Sequence, residues 1–213
     1  PELTWALIMA LTRNLVQEAN ALRAGLWQQG LGGDLHGKTL AILGLGSIGT
    51  RVAQFGQVFG MRVIAWSQNL TAERAAEVGV TYVSKQQLFE QADILSVHLV
   101  LSERSRGLVD AQALGWMKPQ ALLVNTARGP IVDEAALIDA LRDKRLAGAA
   151  LDVFAEEPLP SDHPFRSLEN LLATPHVGYV TRNNYQKFYS LMIEDLQAWA
   201  AGKPIRLLTP TGD

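Results

Sequence analysis

The most constraining feature of this sequence is a glycine-rich hexad that joins an apolar run to an amphipathic one. The hexad Gly-Leu-Gly-Ser-Ile-Gly occupies residues 44–49, directly after the apolar residues 39–43. A strand, a glycine turn and a helix in this order hold dinucleotides, because unpaired amides at the start of the helix attract the pyrophosphate. The alternative is a turn with a structural role only. We predict that the hexad binds a dinucleotide.

Each glycine of the hexad meets a separate steric requirement. Gly44 permits the tight turn after the strand, and Gly46 lets the phosphates approach the backbone. Gly49 lets the helix pack closely on the strand. The phosphates are therefore expected to lie over Ser47 and Ile48, at the start of the helix.

Apolar runs and helical patterns alternate along the rest of the chain. Strands are predicted at residues 40–43, 62–66, 80–83, 94–97, 121–124, 147–151 and 171–173. Helices are predicted at residues 48–59, 72–77, 86–91, 111–117 and 134–144, with one long helix over 3–22 and another over 184–201. A capping box is predicted at Ser84 and Gln87. The alternation predicts an α/β doubly wound parallel sheet, a Rossmann fold, with long flanking helices and a ligand crevice at the carboxyl edge.

Composition excludes several classes of function. The 213 residues, of which 48% are hydrophobic, suffice for one large domain, or at most two. A formal net charge of -2 without any basic block argues against nucleic acid and against an anionic membrane surface. The chain has no cysteine, and no apolar run approaches the roughly 18 residues of a membrane span. We therefore expect a cytoplasmic protein without disulfides and without a metal site.

The end of the second predicted strand bears on which dinucleotide is bound. An acidic side chain at this point holds the ribose 2′-hydroxyl of NAD, whereas an arginine accommodates the 2′-phosphate of NADP. This chain has Ser67, Gln68 and Asn69 there, with Arg74 as the nearest downstream cation. Because no carboxylate repels a 2′-phosphate, the sequence favours NADP. NAD stays open, since the same polar residues also suit an exposed turn.

Three further residues follow predicted strands, at the edge where the crevice is expected. Arg128 offers a planar fork that matches a carboxylate, although a surface ion pair is the alternative. Asp152 closes an apolar strand, and its carboxylate could accept a hydrogen bond from a carboxamide. His176 stands in a turn between Pro175 and Gly178 and suits proton transfer near neutral pH. Together they predict a site for an anionic substrate.

Six motifs occur in a fixed order along the chain. They are Leu-Gly-x-Gly-x-Ile-Gly at 43–49, Val-His-Leu at 97–99, Asn-Thr-Ala-Arg-Gly at 125–129, Ala-Leu-Asp-Val-Phe at 150–154, Glu-Pro at 157–158 and Thr-Pro-His at 174–176. In this order they resemble the family of D-isomer-specific 2-hydroxyacid dehydrogenases. The resemblance implies an NAD(P)-dependent oxidoreductase that transfers a hydride between a nicotinamide cofactor and a 2-oxoacid or D-2-hydroxyacid. Glyoxylate and hydroxypyruvate are the first candidates, because a Trp-Ser pair after the second strand resembles their NADP-using reductases.

The resemblance also implies roles for individual residues. Arg128 would bind the substrate carboxylate, and His176 would be the acid/base that donates a proton to the carbonyl oxygen while the nicotinamide delivers hydride to the carbon. Glu157 would orient the histidine and favour its protonated form. Asp152 would hold the nicotinamide carboxamide. Beyond the hexad, the other residues expected at the cofactor are Ser67, Val100, Ala127, Arg128, His176 and Gly178.

The resemblance implies that a second lobe belongs to the working enzyme. Members of the family have a substrate lobe whose chain precedes the first helix, and nothing in residues 1–213 corresponds to it. The chain would then be a dinucleotide-binding domain that is inactive, or nearly so, by itself. Family members pair through this domain, so a homodimer is expected. Two alternatives stay open: a nonenzymatic nucleotide-sensing protein, and a formate or phosphite dehydrogenase-like enzyme on the same fold.

Overall fold

A seven-stranded parallel sheet organises the computed structural model, which describes residues 1–207. The spatial order is β3-β2-β1-β4-β5-β6-β7. The strands are β1 (Thr39–Leu43), β2 (Arg62–Trp66), β3 (Thr81–Tyr82), β4 (Ile94–Val97), β5 (Leu122–Asn125), β6 (Gly148–Leu151) and β7 (Leu171–Ala173). The predicted doubly wound sheet is confirmed. Strand order reverses at β1, so its carboxyl end opens into the crevice that such sheets use for ligands.

Helices connect and flank the strands. They are α1 (Glu2–Thr12), α2 (Leu15–Arg23), α3 (Ser47–Val58), α4 (Ala72–Ala76), α5 (Lys85–Gln91), α6 (Ala111–Trp116), α7 (Glu134–Arg142) and α8 (Arg182–Ala200). Short 3-10 helices occupy Gly129–Ile131 and Pro164–Arg166. The predicted capping box is confirmed, because Ser84 Oγ accepts from the Gln87 backbone N–H and Gln87 Oε1 accepts from the Ser84 backbone N–H.

The central strands are buried on both faces. Every residue of β1, β4 and β6 is buried, which explains why these strands read as continuous apolar runs. Successive residues of β1 alternate between two core clusters: Ala41 and Leu43 pack into one, and Leu40 and Ile42 into the other. This double burial fixes the register of the sheet and brings the loops after β1, β4, β5 and β6 to one edge.

The prediction of one long helix over residues 3–22 is wrong. The chain forms α1 and α2 there, and Asn14 between them adopts a left-handed backbone with φ of 53°. Asparagine tolerates this conformation better than most residues. The side chain of Asn14 donates to the carbonyl oxygen of Leu31, so a contact distant in sequence stabilises the break. The first flanking element is therefore a pair of short helices.

The predicted strand over residues 80–83 is shorter and less buried than expected. It contains only Thr81 and Tyr82, both of which are exposed. The cause is position, because β3 is the edge strand beside β2. The other strand and helix boundaries lie within two residues of the predicted ones.

The chain divides into two units, Pro1–His176 and Val177–Asp213. The first contains the whole sheet and α1 to α7. The second contains α8, whose first turn is capped by Thr181 Oγ1, which accepts from the Asn184 backbone N–H. Helix α8 has no buried residue, and its exposed large apolar side chains are Tyr185, Phe188, Tyr189, Met192, Ile193, Leu196 and Trp199. None of the helices in residues 1–207 has the length and apolar character needed to cross a membrane.

Candidate active site

The glycine hexad forms the turn between β1 and α3, and its three glycines differ in their surroundings. Gly44 has a left-handed φ of 104°, and a Cβ there would lie 2.8 Å from the carbonyl oxygen of His98. A Cβ on Gly49 would collide with the carbonyl oxygen of Gly44. A Cβ on Gly46 would meet no atom of the described chain within 4 Å. Packing therefore requires Gly44 and Gly49, while the space over Gly46 is open to a ligand.

The start of α3 fits the pyrophosphate of a dinucleotide. Gly46 is the N-cap residue, and no side chain in the described part of the chain caps this end of the helix. Ser47 and Ile48 follow it and are exposed. Amides in the first turn of a helix have no intrahelical acceptor, and together with the helix dipole they attract an anion. The residues present thus match the glycine cradle predicted from the sequence.

The segment after β2 carries little charge of either sign. Ser67 is half-buried and its carbonyl accepts from the Leu70 backbone N–H, while Gln68 and Asn69 are exposed. Arg74, the nearest downstream cation, is paired with Glu77 within the same short segment. The side chains at this strand end can donate hydrogen bonds to a ribose or to a 2′-phosphate.

A histidine and a glutamate meet although they lie 19 positions apart in the sequence. The Nδ1 atom of His176 lies 2.6 Å from Glu157 Oε2. The other carboxylate oxygen, Oε1, accepts from the backbone N–H of Phe154 at 2.9 Å. Both side chains are about one third exposed, at 35% and 34%, so a ligand can reach the ring. A histidine held by a carboxylate in this way can take up and release a proton at its other nitrogen, Nε2.

The surroundings of Glu157 favour its ionised form. Partial burial acts to raise the pKa of this carboxyl group. Hydrogen bonds from His176 and from the Phe154 N–H, together with the charges of His176 and Arg128, outweigh burial and leave the pKa below its ordinary value of 4.5. Glu157 is therefore a carboxylate at neutral pH.

Asn125 shapes the loop that carries Arg128. It is the last residue of β5 and is 1% exposed. Its Oδ1 accepts from the Ala127 N–H and its Nδ2 donates to the Arg128 carbonyl oxygen, both at 3.0 Å. The Arg128 side chain is exposed, and its Nη1 donates to the Ala127 carbonyl oxygen at 2.6 Å. Because its charge also lowers the pKa of Glu157, Arg128 belongs to the same electrostatic site.

Asp152 follows β6 and lies behind this site. Its side chain is buried, and Oδ1 accepts from the hydroxyl of Thr174 at 2.6 Å. The Asp152 backbone N–H donates to the carbonyl oxygen of Asn125. The ends of β5, β6 and β7 are thus joined by hydrogen bonds at the edge where the predicted site residues lie.

Val100, Ala127 and Gly178 were also predicted to lie at the cofactor. Val100 is 86% exposed after β4, and Ala127 is half-buried in the Arg128 loop. Gly178 belongs to the second unit. Among residues 1–207, no cluster of three or more histidine, aspartate or glutamate side chains could hold a metal ion.

Comparison with known proteins identifies the family. Residues 5–178 match the family model described as D-isomer specific 2-hydroxyacid dehydrogenase, NAD binding domain. The chain belongs to this family. It is 44% identical to a glyoxylate reductase of Aeropyrum pernix over 211 residues, which cover 95% of this chain and 63% of that protein. It is 38% identical to a D-3-phosphoglycerate dehydrogenase of Bacillus subtilis, over 96% of this chain and 39% of that one.

Solved structures of similar proteins agree with this 2-hydroxyacid dehydrogenase assignment. A phosphoglycerate oxidoreductase of Vibrio cholerae superimposes with a TM-score of 0.90 at 42% identity, covering 94% of this chain and 66% of that one. The chain thus spans less than two thirds of the length of the glyoxylate reductase that it matches. The resemblance predicted from the six motifs is confirmed at the level of the family and of its cofactor domain.

Several contacts in this 2-hydroxyacid dehydrogenase domain were not predicted. Thr174 lies in the Thr-Pro-His motif and holds Asp152, although no role was predicted for it. His98 lies in the Val-His-Leu motif, with Nε2 2.7 Å from the Oγ of buried Ser96. Burial lowers the pKa of His98 to about 4, so its ring is neutral near pH 7. Membership of a recognised motif was the only signal in the sequence for either residue.

Proposed function

We propose that the intact protein reduces a 2-oxoacid to a D-2-hydroxyacid with a nicotinamide dinucleotide, and runs the reverse oxidation. The observation that carries this proposal is the 2.6 Å contact between His176 and Glu157, beside Arg128 and on the carboxyl edge of a dinucleotide-binding sheet. Names of the relatives, which include glyoxylate reductase and D-3-phosphoglycerate dehydrogenase, agree with this chemistry.

Each residue of the site has a distinct part in the proposed reaction. The guanidinium of Arg128 pairs with the substrate carboxylate and orients the carbonyl. His176 donates a proton to the carbonyl oxygen during reduction, and ionised Glu157 holds the ring through Nδ1. Asp152 and the hexad hold the cofactor, which supplies the hydride when bound.

Substitution of the three side chains tests the proposed roles. In the intact protein, we expect His176→Ala to lower kcat by about 100-fold or more, since general acid catalysis contributes about that much. Arg128→Ala should raise the KM for the 2-oxoacid, and Arg128→Lys should not restore it because an ammonium lacks the planar fork. Glu157→Gln should lower kcat. Unchanged turnover of glyoxylate and hydroxypyruvate by His176→Ala, Arg128→Ala and Glu157→Gln would show that the assignment is wrong.

We propose glyoxylate or hydroxypyruvate as the substrate. The glyoxylate reductase of Aeropyrum pernix, 44% identical over nearly all of this chain, supports the first, and the Trp66-Ser67 pair supports both. Initial rates of the intact protein with these acids, with pyruvate and with 3-phosphohydroxypyruvate would rank them. A higher kcat/KM for pyruvate or for the phosphorylated acid would contradict the proposal.

We propose that NADP is preferred over NAD, because Ser67, Gln68 and Asn69 place no carboxylate where a 2′-phosphate would bind. The pairing of Arg74 with Glu77 weakens one part of this argument, since that cation is already engaged. Parallel titrations with NADPH and NADH, followed by quenching of the five tryptophans, decide between them. Tighter binding of NADH would reverse the proposed preference.

We propose that residues 1–213 are the cofactor domain of a two-lobe enzyme, and that this domain pairs with a second copy in a cytoplasmic homodimer. The first unit exposes apolar side chains at Leu26, Trp27 and Leu31, which are 51%, 74% and 97% exposed. Glu18 holds their loop by accepting from the backbone N–H groups of Gln29 and Gly30. Sedimentation equilibrium should give a dimer, and Trp27→Glu should shift it towards the monomer.

A further inference from the structure

The peptide between Phe154 and Ala155 is a junction of three parts of the candidate site. Its carbonyl lies so close to Gly129, the residue after Arg128, that a Cβ on Gly129 would collide with it. The Ala155 N–H donates to Glu134 Oε1 at 2.7 Å. One residue earlier, the Phe154 N–H donates to Glu157 Oε1. The position of this peptide therefore affects both the Arg128 loop and the Glu157 carboxylate.

A histidine lies on the other side of Glu134. Its Oε2 lies 3.7 Å from His163 Nε2, and both side chains are only 19% exposed. The Nδ1 atom of His163 accepts from the Phe165 backbone N–H at 3.2 Å. Because Nδ1 accepts, the ring proton lies on Nε2, which faces Glu134. The His163 ring also packs against the Phe165 ring, with centroids 4.8 Å apart.

Few other contacts hold the turn that carries Glu157 in position. Residues 155–158 are exposed, so apolar packing contributes little to their position. Beyond them, Arg166 donates to the carbonyl oxygens of Leu159 and Pro160, both at 2.7 Å. Glu134 and Arg166 thus fix the two ends of the exposed segment. Glu134 acts on the end that carries the Phe154 N–H, the backbone donor to Glu157.

We propose that Glu134, supported by His163, is a positioning residue for the proton-transferring pair Glu157 and His176. It fixes the Phe154–Ala155 peptide, and the N–H of the adjoining Val153–Phe154 peptide holds the carboxylate that contacts the His176 ring. Glu134 begins α7, where the helix dipole favours a carboxylate. The consequence for turnover rests on the proposed function, whereas the consequence for the contact between Glu157 and His176 does not.

Nuclear magnetic resonance on the 213-residue chain tests the structural part without substrate or cofactor. When the His176 ring is protonated, its Nδ1 proton in the bond to Glu157 should give a downfield signal. We expect Glu134→Ala to weaken or abolish this signal, and Glu134→Gln to retain it because the amide oxygen can still accept from Ala155. An unchanged signal in Glu134→Ala would overturn the proposal.

The matched control is Asp133→Ala, one residue earlier at the same helix end. Asp133 caps α7 by accepting from the Ala136 N–H, and within residues 1–207 its side chain makes no hydrogen bond to the Phe154–Glu157 turn. Urea unfolding of each variant shows whether it folds. Equal loss of the His176 signal in Asp133→Ala would overturn the proposal, because helix stability alone would then explain it. If Glu134→Ala does not fold, His163→Asn serves instead, since asparagine can cap Phe165 but cannot reach Glu134.

Kinetics of the intact protein test the functional part. We expect Glu134→Ala to lower kcat about 10- to 100-fold, since small misplacements of reacting groups cost about that much, while each KM changes less than about twofold. Glu134→Gln should recover most of kcat, and Asp133→Ala should retain it. A rise in KM without a fall in kcat would overturn the positioning role. If the wild-type enzyme reduces no 2-oxoacid, the proposed function fails, and the resonance experiment still decides the role of Glu134.

Discussion

At the scale of single residues, the ionisation of Glu157 makes the stability of the folded chain depend on pH. Its pKa lies below 4.5 in the folded chain, where hydrogen bonds and nearby positive charge outweigh partial burial. The unfolded chain lacks these partners and takes up the proton at higher pH. The stabilisation by Glu157 is therefore complete above its unfolded pKa and is lost as the pH falls through the lowered folded pKa.

We expect Glu157→Gln to be less stable than the wild type near about pH 6, with the difference shrinking towards about pH 3. Urea unfolding across this range measures the free energy of unfolding of both chains. Glu156→Gln is the control, because the neighbouring Glu156 is exposed and lies outside the bond to His176. The same pH dependence in both variants would contradict the prediction.

His98 should contribute a second pH dependence. Burial lowers its pKa from 6.5 to about 4, so the unfolded chain binds a proton at higher pH than the folded one. The free energy of unfolding should therefore fall by up to about 3 kcal/mol as the pH falls from about 6.5 to about 4. His98→Asn should lose less over the same range, and the imidazole resonances should place the His98 titration near 4. Titration of this ring near 6.5 would show that burial does not lower the pKa of His98.

The sequence predicted the proton-transferring pair, but it did not predict the residues that support this pair. His176 and Glu157 belong to recognisable motifs, and the structure places them in contact. Glu134 and His163 approach through space from positions 29 apart, and neither lies in a motif. Such a contact depends on where the end of α7 meets the turn after β6, which no local pattern specifies.

At the scale of elements, two glycines of the hexad should respond differently to the same added methyl group. Gly49→Ala forces a collision between α3 and the backbone of Gly44, so we expect a loss of about 1 to 3 kcal/mol in stability. Gly46→Ala meets open space, and its stability should change by less than about 1 kcal/mol. Its affinity for the cofactor should nevertheless fall, because the methyl group occupies the side from which phosphates approach.

Urea unfolding and fluorescence titration with NADPH and NADH separate these two effects. Gly115→Ala in α6 is a suitable control, because a Cβ there also meets no atom of residues 1–207 within 4 Å and the helix does not carry the hexad. Unchanged cofactor affinity in Gly46→Ala would mean that the phosphates do not lie over this residue. Wild-type stability in Gly49→Ala would show that α3 can shift without cost.

Elements were predictable wherever burial dictates the pattern. Strands β1, β4 and β6 are buried on both faces, and their apolar runs reveal them. The break at Asn14 was not predictable, because apolar residues keep their helical spacing across it and the left-handed turn depends on Leu31. β3 was overestimated because an edge position, and not its residue types, limits its length.

At the scale of the whole molecule, the first unit contains the whole seven-stranded sheet and the three side chains of the proposed substrate site. Arg128, Glu157 and His176 all lie within Pro1–His176 and are at least partly exposed. The chain spans 63% of the length of the matching glyoxylate reductase. A substrate that is bound only by exposed side chains is poorly oriented and stays in contact with water. Hydride transfer requires a fixed orientation and the exclusion of water.

We therefore expect the 213-residue chain to bind a nicotinamide dinucleotide but to show little or no reduction of glyoxylate or hydroxypyruvate. The hexad, β1 and α3, which carry the proposed pyrophosphate site, are all contained in it. Addition of a separately produced substrate lobe should restore turnover, with a rate that saturates as the concentration of the lobe rises. The same lobe added to a His176→Ala chain should restore none, which separates assembly of the site from contamination by another enzyme. Rapid turnover by the chain alone would show that Arg128, Glu157 and His176 suffice, and that the second lobe serves specificity and not catalysis.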